Sequence, residues 1–467
     1  MNQNHDIKAL REELLYKPKN GWERISDADR AELDEYCADY LAFADHAKTE
    51  REAVVLSVNA AQKAGFREFV PGMEIHPGDK LYFINRKKSV SFVIVGKKSL
   101  AEGARIAVAH ADNPRLDLKP NPLYEDSELA FLKTHYYGGI KKYQWTTVPL
   151  ALHGVLALSD GSTLNVEIGE DPADPVFCVT DLLIHLSREQ MKKTLADGVP
   201  AENLNVLIGS EPLKGEEGDR VKLAVMLLLH EKYDVTEEDF LSSELTMVPA
   251  LRAREVGLDR SMLGAFGHDD RVCAYAQFWP MLRMTEIPEH TIVTIFADKE
   301  EIGSEGVTGA QSAAFDYLME ELCSVQNVPL RRCYASSVCL SADVAAAYDP
   351  TYSDVYDYQN SARLNYGVSI CKYTGSGGKG GSSDATGELL SRFRHAFNRA
   401  GVIWQICEMG KVDAGGGGTI AKFMAKRNID TLDAGVAVLS MHAPWEIVSK
   451  LDCYMTMKAC RAFFAMD

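Results

Sequence analysis

The chain has 467 residues, of which 46% are hydrophobic and 25% are charged. This composition is typical of a folded globular protein, and the length exceeds what one hydrophobic core ordinarily supports, so two domains are expected. The formal net charge of −17 argues against nucleic acid and against an anionic membrane as partners, because both repel an acidic surface.

We expect no secretion signal and no membrane-spanning segment in this sequence. Its N-terminal segment has no apolar stretch of signal-peptide length, and no run of 18 or more apolar residues occurs, so we expect a cytoplasmic protein. The ten cysteines are scattered and form no CxxC pair. They are therefore predicted to be reduced thiols, and a cysteine-based metal site is not expected.

The predicted elements change in character twice along the chain. Residues 27–64 are helix-like with an N-cap at Ser26 or Asp27, residues 80–98 alternate like a hairpin, and Ile106–Ala109 is a short apolar strand. Residues 113–250 are richer in Pro and Gly, with alternating segments such as STLNVEIG and one helix-like segment, DLLIHLSREQMKKTL. From about 251, the apolar strands TIVTIFA, SSVCLSA and AGVAVLSM alternate with helical stretches.

This alternation predicts an α/β fold, with helices on both faces of a central sheet. The change in character over residues 113–250 predicts that a first domain, residues 1–112 and 251–467, is interrupted by an inserted domain.

A carboxylate or an imidazole directly follows four of the predicted strands. These side chains are His110 and Asp112, the pair Glu300 and Glu301 with Asp298, then Asp343, and finally His442. Ligand sites in open α/β sheets gather at the carboxyl ends of strands, so groups far apart in sequence are expected to meet there.

The chemistry of this set favours a hydrolytic metal site. Two histidines and several carboxylates suit Zn²⁺, Mn²⁺ or Co²⁺. Because Glu300 and Glu301 are adjacent, one of them is able to bind metal while the other takes a proton from the attacking water. Each residue alone also fits a helix cap, a turn or a solvated helix start. Four such coincidences at four strand ends favour the metal site.

These residues also form motifs that resemble a known family, the aspartyl aminopeptidase and aminopeptidase I family of dinuclear zinc peptidases. The resemblance runs through nearly the whole chain. Its motifs here are His110-Ala111-Asp112-Asn113-Pro114 with Lys119-Pro120, Asp298-Lys299-Glu300-Glu301-Ile302-Gly303-Ser304, Ser341-Ala342-Asp343, Met441-His442 with Glu446, Tyr137-Gly138-Gly139 with Trp145, and Ile184-His185-Leu186 with Arg188. The DxEE motif is the most specific of these, and their correct order strengthens the resemblance.

The resemblance implies a role for each candidate residue. His110, Glu301, Asp343 and His442 would be terminal ligands of two divalent metal ions, with Asp269 as the bridging ligand, while Glu300 would be the general base and Asp112 would orient His110. His185 would reach a neighbouring subunit's site and donate a hydrogen bond to the developing oxyanion.

The resemblance also implies a mixed central sheet and a β-rich insertion that serves dimerisation. The metals would be zinc, with Mn²⁺ or Co²⁺ as alternatives, the substrates peptides with a free N-terminus, and the assembly a tetrahedral homododecamer.

Some features depart from the family pattern. The segment that carries the bridging carboxylate reads Gly267-His268-Asp269-Asp270-Arg271-Val272, which leaves Asp269 or Asp270 as the bridge, with Asp269 favoured by register. Arg271, and Lys379 in the Gly-rich segment 374–384, are candidate partners for a substrate carboxylate.

Two other functions remain open at this point. The order of ligands is shared by glutamyl or deblocking-type aminopeptidases and related amidohydrolases of the same clan. A non-catalytic assembly protein is the rival of a different class, but such a protein is expected to lose Glu300 or a ligand, and all are present.

Overall fold

The computed structural model describes residues 7–215 and 218–467. Within these ranges the α-helices are Ile7–Leu14, Asp27–His46, Glu50–Lys63, Arg220–Tyr233, His268–Leu282, Ala314–Val325, Leu330–Ser336, Gly387–Arg399, Ala421–Ala425 and Lys450–Phe464. The strands form three larger sheets and one two-stranded antiparallel sheet, Gly375–Ser376 with Gly416–Gly417.

The largest sheet has nine strands, which are both parallel and antiparallel to their neighbours. In spatial order they are Arg67–Glu68, Lys80–Asn85, Ser89–Ile94, Ile292–Ala297, Arg105–His110, Val338–Ser341, Asp430–Gly435, Val368–Cys371 and Trp404–Cys407. The strands Arg105–His110 and Ile292–Ala297 are buried along their whole length, as expected where both faces of a sheet are covered.

A hydrophobic core lies on each face of this sheet. On one face, Ala107 and Phe296 pack with residues of helices such as His268–Leu282 and Lys450–Phe464. On the other face, Ile106 and Val293 pack with residues of helices such as Ala314–Val325. The predicted α/β class, a mixed sheet with helices on both faces, is therefore confirmed.

The second sheet has seven strands, all paired antiparallel. In spatial order they are Thr163–Ile168, Leu150–Ala157, Ser243–Pro249, Arg115–Asp126, Leu129–Tyr137, Val206–Gly209 and Cys178–Val179. All of them come from one continuous part of the chain, and they enclose a hydrophobic core of their own that includes Leu116, Trp145 and Met247.

The third sheet has five strands, and it corrects one sequence-based expectation. Its strands are Arg254–Val256, Met262–Ala265, Glu446–Ser449, Ala437–Leu439 and Ala345–Ala346. The segment AGVAVLSM is therefore divided, since Asp430–Gly435 lies in the nine-stranded sheet and Ala437–Leu439 lies here. At the point of division a Cβ on Gly435 would lie 2.0 Å from the carbonyl oxygen of Asp343, so this close crossing requires glycine.

Of three other predictions of local structure, two are confirmed and one is wrong. The hairpin is confirmed as Lys80–Asn85 paired antiparallel with Ser89–Ile94. The helical region 27–64 is confirmed as two helices, the first capped by Ser26. The helix predicted over DLLIHLSREQMKKTL is wrong, because the segment consists of turns and a short 3-10 helix, Gln190–Lys192. Its residues Leu182, Leu183, Ile184 and Leu186 stay exposed among the described residues, and an isolated helix of this length is marginal in water.

None of the helices in the described part of the chain has the length and apolar character needed to cross a membrane.

Candidate metal centre

Three parallel strands of the nine-stranded sheet bring the first candidate ligands to one edge. Arg105–His110 lies between Ile292–Ala297 and Val338–Ser341, with Ala297 opposite His110 and Ser341 opposite Val108. His110 therefore ends the central strand. Glu300 and Glu301 follow one neighbouring strand, and Asp343 follows the other.

Asp269 lies between the two candidate histidines. Its Oδ1 lies 3.1 Å from Nε2 of His110, and its Oδ2 lies 3.0 Å from Nε2 of His442. The Asp269–Asp270 peptide bond is cis, and the Asp269 side chain is buried. A carboxylate with a different imidazole at each oxygen is the arrangement needed to bridge two cations.

His442 reaches this centre from the smaller, five-stranded sheet. It lies in the connection between the strands Ala437–Leu439 and Glu446–Ser449. Its Nε2 lies 3.5 Å from Oε2 of Glu301. The expectation that His442 follows a strand of the central sheet is thus wrong, although the residue still arrives beside Asp269 and Glu301.

The ligand atoms form two groups that share one residue. His110, Asp269 and Asp343 form the first group, and Asp269, Glu301 and His442 form the second, with the atoms of each group within 4.8 Å of one another. Two nitrogen and several oxygen ligands without sulfur suit zinc at a hydrolytic site.

The electrostatics of the site fit a cation at each group. Burial raises the pKa of Glu301 and of Asp343 well above the ordinary range, and the negative charge of Asp269 raises both further. Oε1 of Glu301 is also buried and has no hydrogen-bond partner among the described residues. Buried carboxylates that lack a counter-charge are costly, and divalent ions at the two groups would remove that cost.

Asp112 contacts the first histidine and the segment that carries the glutamates. Nδ1 of His110 lies 2.9 Å from the backbone carbonyl oxygen of Asp112 and 3.4 Å from its carboxylate. Because these oxygens hold the Nδ1 hydrogen, Nε2 is left to face Asp269. The Asp112 carboxylate also accepts the backbone N–H groups of Glu300 and Glu301 over 3.1 and 3.2 Å.

Glu300 lies beside the two groups without belonging to either. Its Oε2 is 4.0 Å from Nε2 of His110, and its side chain is 18% exposed. Burial raises the pKa of the Glu300 carboxyl, an effect that the charge of His110 partly offsets. A carboxylate that is near the ligands, accessible to water and more basic than usual is able to accept a proton.

Asp270, the alternative to Asp269, faces a different direction. Its Oδ2 accepts the backbone N–H of His110 over 3.2 Å, and its Oδ1 is buried with no hydrogen-bond partner in the part of the chain that the structure describes. Neither ligand group includes Asp270.

Glu446 makes contacts within the site that the sequence did not reveal. It is buried, and its carboxylate accepts the backbone N–H of Asp269 over 3.0 Å and that of His442 over 2.6 Å. Glu446 thereby ties the shared carboxylate to the second histidine. Its signals in the sequence were its place four residues after His442 and its part in the motif with Met441 and His442, and neither shows that a side chain turns back towards the main chain.

Three other predicted residues lie apart from this cluster. His185 is exposed on a turn, and none of the described side chains forms a hydrogen bond or an ion pair with it. Arg271 is buried, and its guanidinium donates to the backbone carbonyls of Gly267 and Phe266. Lys379 pairs with Asp384 over 3.1 Å and lies above the ring of Tyr373. In the described part of the chain, none of the three forms a hydrogen bond or an ion pair with the metal-centre residues.

A separate ionic cluster joins the helix Glu50–Lys63 to the seven-stranded sheet. The buried imidazole of His153 lies between Glu52, 2.6 Å from Nδ1, and Glu170, 3.1 Å from Nε2. Lys48 pairs with Glu170 over 2.6 Å. Burial lowers the pKa of His153, but the two carboxylates outweigh it and raise the pKa to about 9. This cluster is therefore an ion-pair network around a cationic imidazole.

Comparison with known proteins identifies one family along nearly the whole chain. The profile of aminopeptidase I zinc metalloproteases, M18, matches residues 43–464. A relative from Clostridium acetobutylicum, named a probable M18 family aminopeptidase 1, is 47% identical over 460 residues, which cover 97% of this chain and 99% of the relative.

Solved structures agree with this match. The structure of an M18-family aminopeptidase from Thermotoga maritima has a TM-score of 0.93 and 42% identity, covering 97% of this chain and 100% of that one. The structure of aminopeptidase I from Clostridium acetobutylicum has a TM-score of 0.90 and 46% identity, with 97% and 100% of the two chains covered.

Proposed function

Because this chain belongs to the aminopeptidase I zinc metalloprotease (M18) family and is a metal-dependent aminopeptidase, we propose that it uses two divalent ions and a glutamate base. The observation that carries this proposal is the pair of ligand groups that share Asp269. His110 and Asp343 would hold one ion, Glu301 and His442 the other, and Asp269 both.

The metals, when bound, would supply Lewis-acid activation of the attacking water and of the scissile carbonyl. The chain's own residues would carry the proton. Glu300 would take it from the water and deliver it to the leaving amine. Asp112 supports this role, since it holds the Glu300 backbone on one side and the His110 imidazole on the other.

His185 would complete the site of a neighbouring subunit. Its turn carries the exposed apolar residues Leu183, Ile184 and Leu186, of which Ile184 is 70% exposed and Leu186 69%. Exposed apolar residues next to one another favour burial against a partner. An imidazole delivered by a second copy would donate a hydrogen bond to the oxyanion that develops on the substrate.

Residues 113–250 would then be an inserted domain that mediates self-association, and residues 1–112 and 251–467 the catalytic domain. We also propose that twelve copies of the chain assemble into a homododecamer. All ten cysteines are free thiols, which supports a reducing, cytoplasmic compartment.

The decisive experiment combines metal analysis with a substrate panel. We expect about two equivalents of metal per chain, and hydrolysis of aminoacyl-p-nitroanilides with Zn²⁺, Mn²⁺ or Co²⁺ that chelation abolishes. The same panel identifies the preferred N-terminal residue. One equivalent of metal at full activity would refute the two-ion mechanism.

A further inference from the structure

Tyr137 and Gly139, at and just after the end of the strand Leu129–Tyr137, contact Asp112 and His442 of the metal centre. The Tyr137 hydroxyl donates to Oδ2 of Asp112 over 2.7 Å. Two residues later, the backbone carbonyl of Gly139 lies 2.8 Å from Nδ1 of His442. A carbonyl oxygen only accepts, so Nδ1 carries the hydrogen and Nε2 is left facing Asp269 and Glu301.

The Tyr137 ring packs against the guanidinium of Arg115. Tyr137 and Arg115 are cross-strand partners, and the Arg115 guanidinium lies over the ring, 4.3 Å from its centre. Nη1 of Arg115 donates in turn to Oε2 of Glu50 over 2.8 Å. All three side chains are at least nine-tenths buried. The hydroxyl is thus aimed at Asp112 by packing between the seven-stranded sheet and the helix Glu50–Lys63.

The partners of Asp112 show what the tyrosine would control. The Asp112 carboxylate faces His110 and also accepts the backbone N–H groups of Glu300 and Glu301. A rotation of this carboxylate would therefore disturb a ligand of each metal and the general base together. The Tyr137 hydrogen bond opposes that rotation.

We infer that the Tyr137–Gly139 segment of the β-rich insertion orients both metal-binding histidines of its own chain, and that Tyr137 is a positioning residue acting through Asp112. This inference rests on the proposed two-metal function. The insertion would then serve catalysis within the chain, separately from any contribution of His185 to another subunit.

The test is Tyr137→Phe, which removes only the hydroxyl and leaves the ring beneath Arg115. We expect kcat to fall about 10–100-fold with little change in KM, as is typical when an outer partner of a metal ligand is lost. Metal affinity, measured by competition with a chelator, should fall. The visible absorption of the Co²⁺-loaded protein should shift, because the ligand geometry changes. Tyr136→Phe is the matched control, since that neighbouring side chain is 40% exposed.

A double-mutant cycle distinguishes action through Asp112 from a general loss of structure. In an Asp112→Asn background, adding Tyr137→Phe should change kcat less than about 2-fold, because coupled residues are not additive. Thermal unfolding of each variant provides the check on folding. Independent, multiplicative effects in the cycle would overturn the inference.

The outcomes separate the inference from the proposed function. If wild-type protein binds two metals and hydrolyses its substrates, while Tyr137→Phe matches it in kcat, metal affinity and Co²⁺ spectrum, the inference alone is overturned. If wild-type protein does not bind two metals, both are overturned.

Discussion

The backbone N–H of Glu300 donates to Oδ1 of Asp112 over 3.1 Å. The proposed base is therefore positioned by the same carboxylate that faces the imidazole of His110. Because the contact is made by the backbone, it does not occupy the Glu300 side chain, which is 18% exposed.

Replacing Glu300 with Gln should abolish most turnover while both metals stay bound. The amide keeps the shape of the side chain but does not accept a proton, and general-base catalysis is typically worth about 10²–10⁴ in rate. Turnover and metal content should be measured on the same preparation. Glu301→Gln should instead weaken metal binding, and Glu305→Gln, at an exposed position, should change neither. Loss of a metal in Glu300→Gln would contradict the role of base.

Peptides with an acetylated N-terminus should resist cleavage, whereas the same peptides with a free amine should be shortened one residue at a time. An aminopeptidase has to recognise the terminal amine, and acetylation removes its charge and its basicity. Mass spectrometry of each peptide, with and without the acetyl group, measures this shortening directly. Efficient internal cleavage of a capped peptide would be incompatible with an exopeptidase.

His185→Ala should keep both metals and the assembly, yet lose about 10²–10³ in turnover, the usual cost of removing a donor to an oxyanion. His230→Ala, another exposed histidine on the β-rich part of the chain, is the matched control. Metal content and sedimentation provide the checks on integrity.

Mixing subunits tests whether His185 acts in trans. Co-assembled His185→Ala and Glu300→Gln subunits should regain part of the wild-type activity, since some interfaces then pair an intact His185 with an intact Glu300. Absence of recovery in verified mixed assemblies would mean that His185 acts within its own chain or only packs.

The His153 cluster should make the stability of the protein depend on pH. The neighbouring carboxylates raise the pKa of His153 to about 9 in the folded state, above the ordinary value of about 6.5. The imidazolium therefore stabilises the fold fully below about pH 6.5, and this contribution is lost as the pH rises through 9.

The unfolding temperatures of wild-type protein and His153→Gln should thus differ most near pH 6 and converge near pH 10. Glu52, Glu170 and Lys48, which surround the imidazole, are unchanged in this variant. His76→Gln, at an exposed position, controls for loss of any histidine. A difference that stays constant over this pH range would show that His153 stabilises the fold by packing alone.

The sequence by itself determined the fold class and the short motifs that carry the chemistry. Buried parallel strands appear in the sequence as apolar runs such as IAVA and TIVTIFA. A polar residue directly after such a run lies at the carboxyl end of the strand, where ligand sites gather. For that reason His110, Glu300, Glu301 and Asp343 could be selected as neighbours without any knowledge of their contacts.

The tertiary structure alone decided how side chains are aimed. Asp269 and Asp270 are chemically identical neighbours, and only the backbone path directs Asp269 towards both histidines and Asp270 towards a backbone N–H. Glu446 and Tyr137 form hydrogen bonds to Asp269 and Asp112, which lie 177 and 25 residues away along the chain.

The failed helix around His185 has the same cause. An apolar segment folds according to the surface available to cover it, and none of the described residues of the chain forms such a surface for Ile184 and Leu186, which remain exposed. Local pattern specifies which face of an element is apolar, but the packing partner, whether in the chain or outside it, decides whether that element forms.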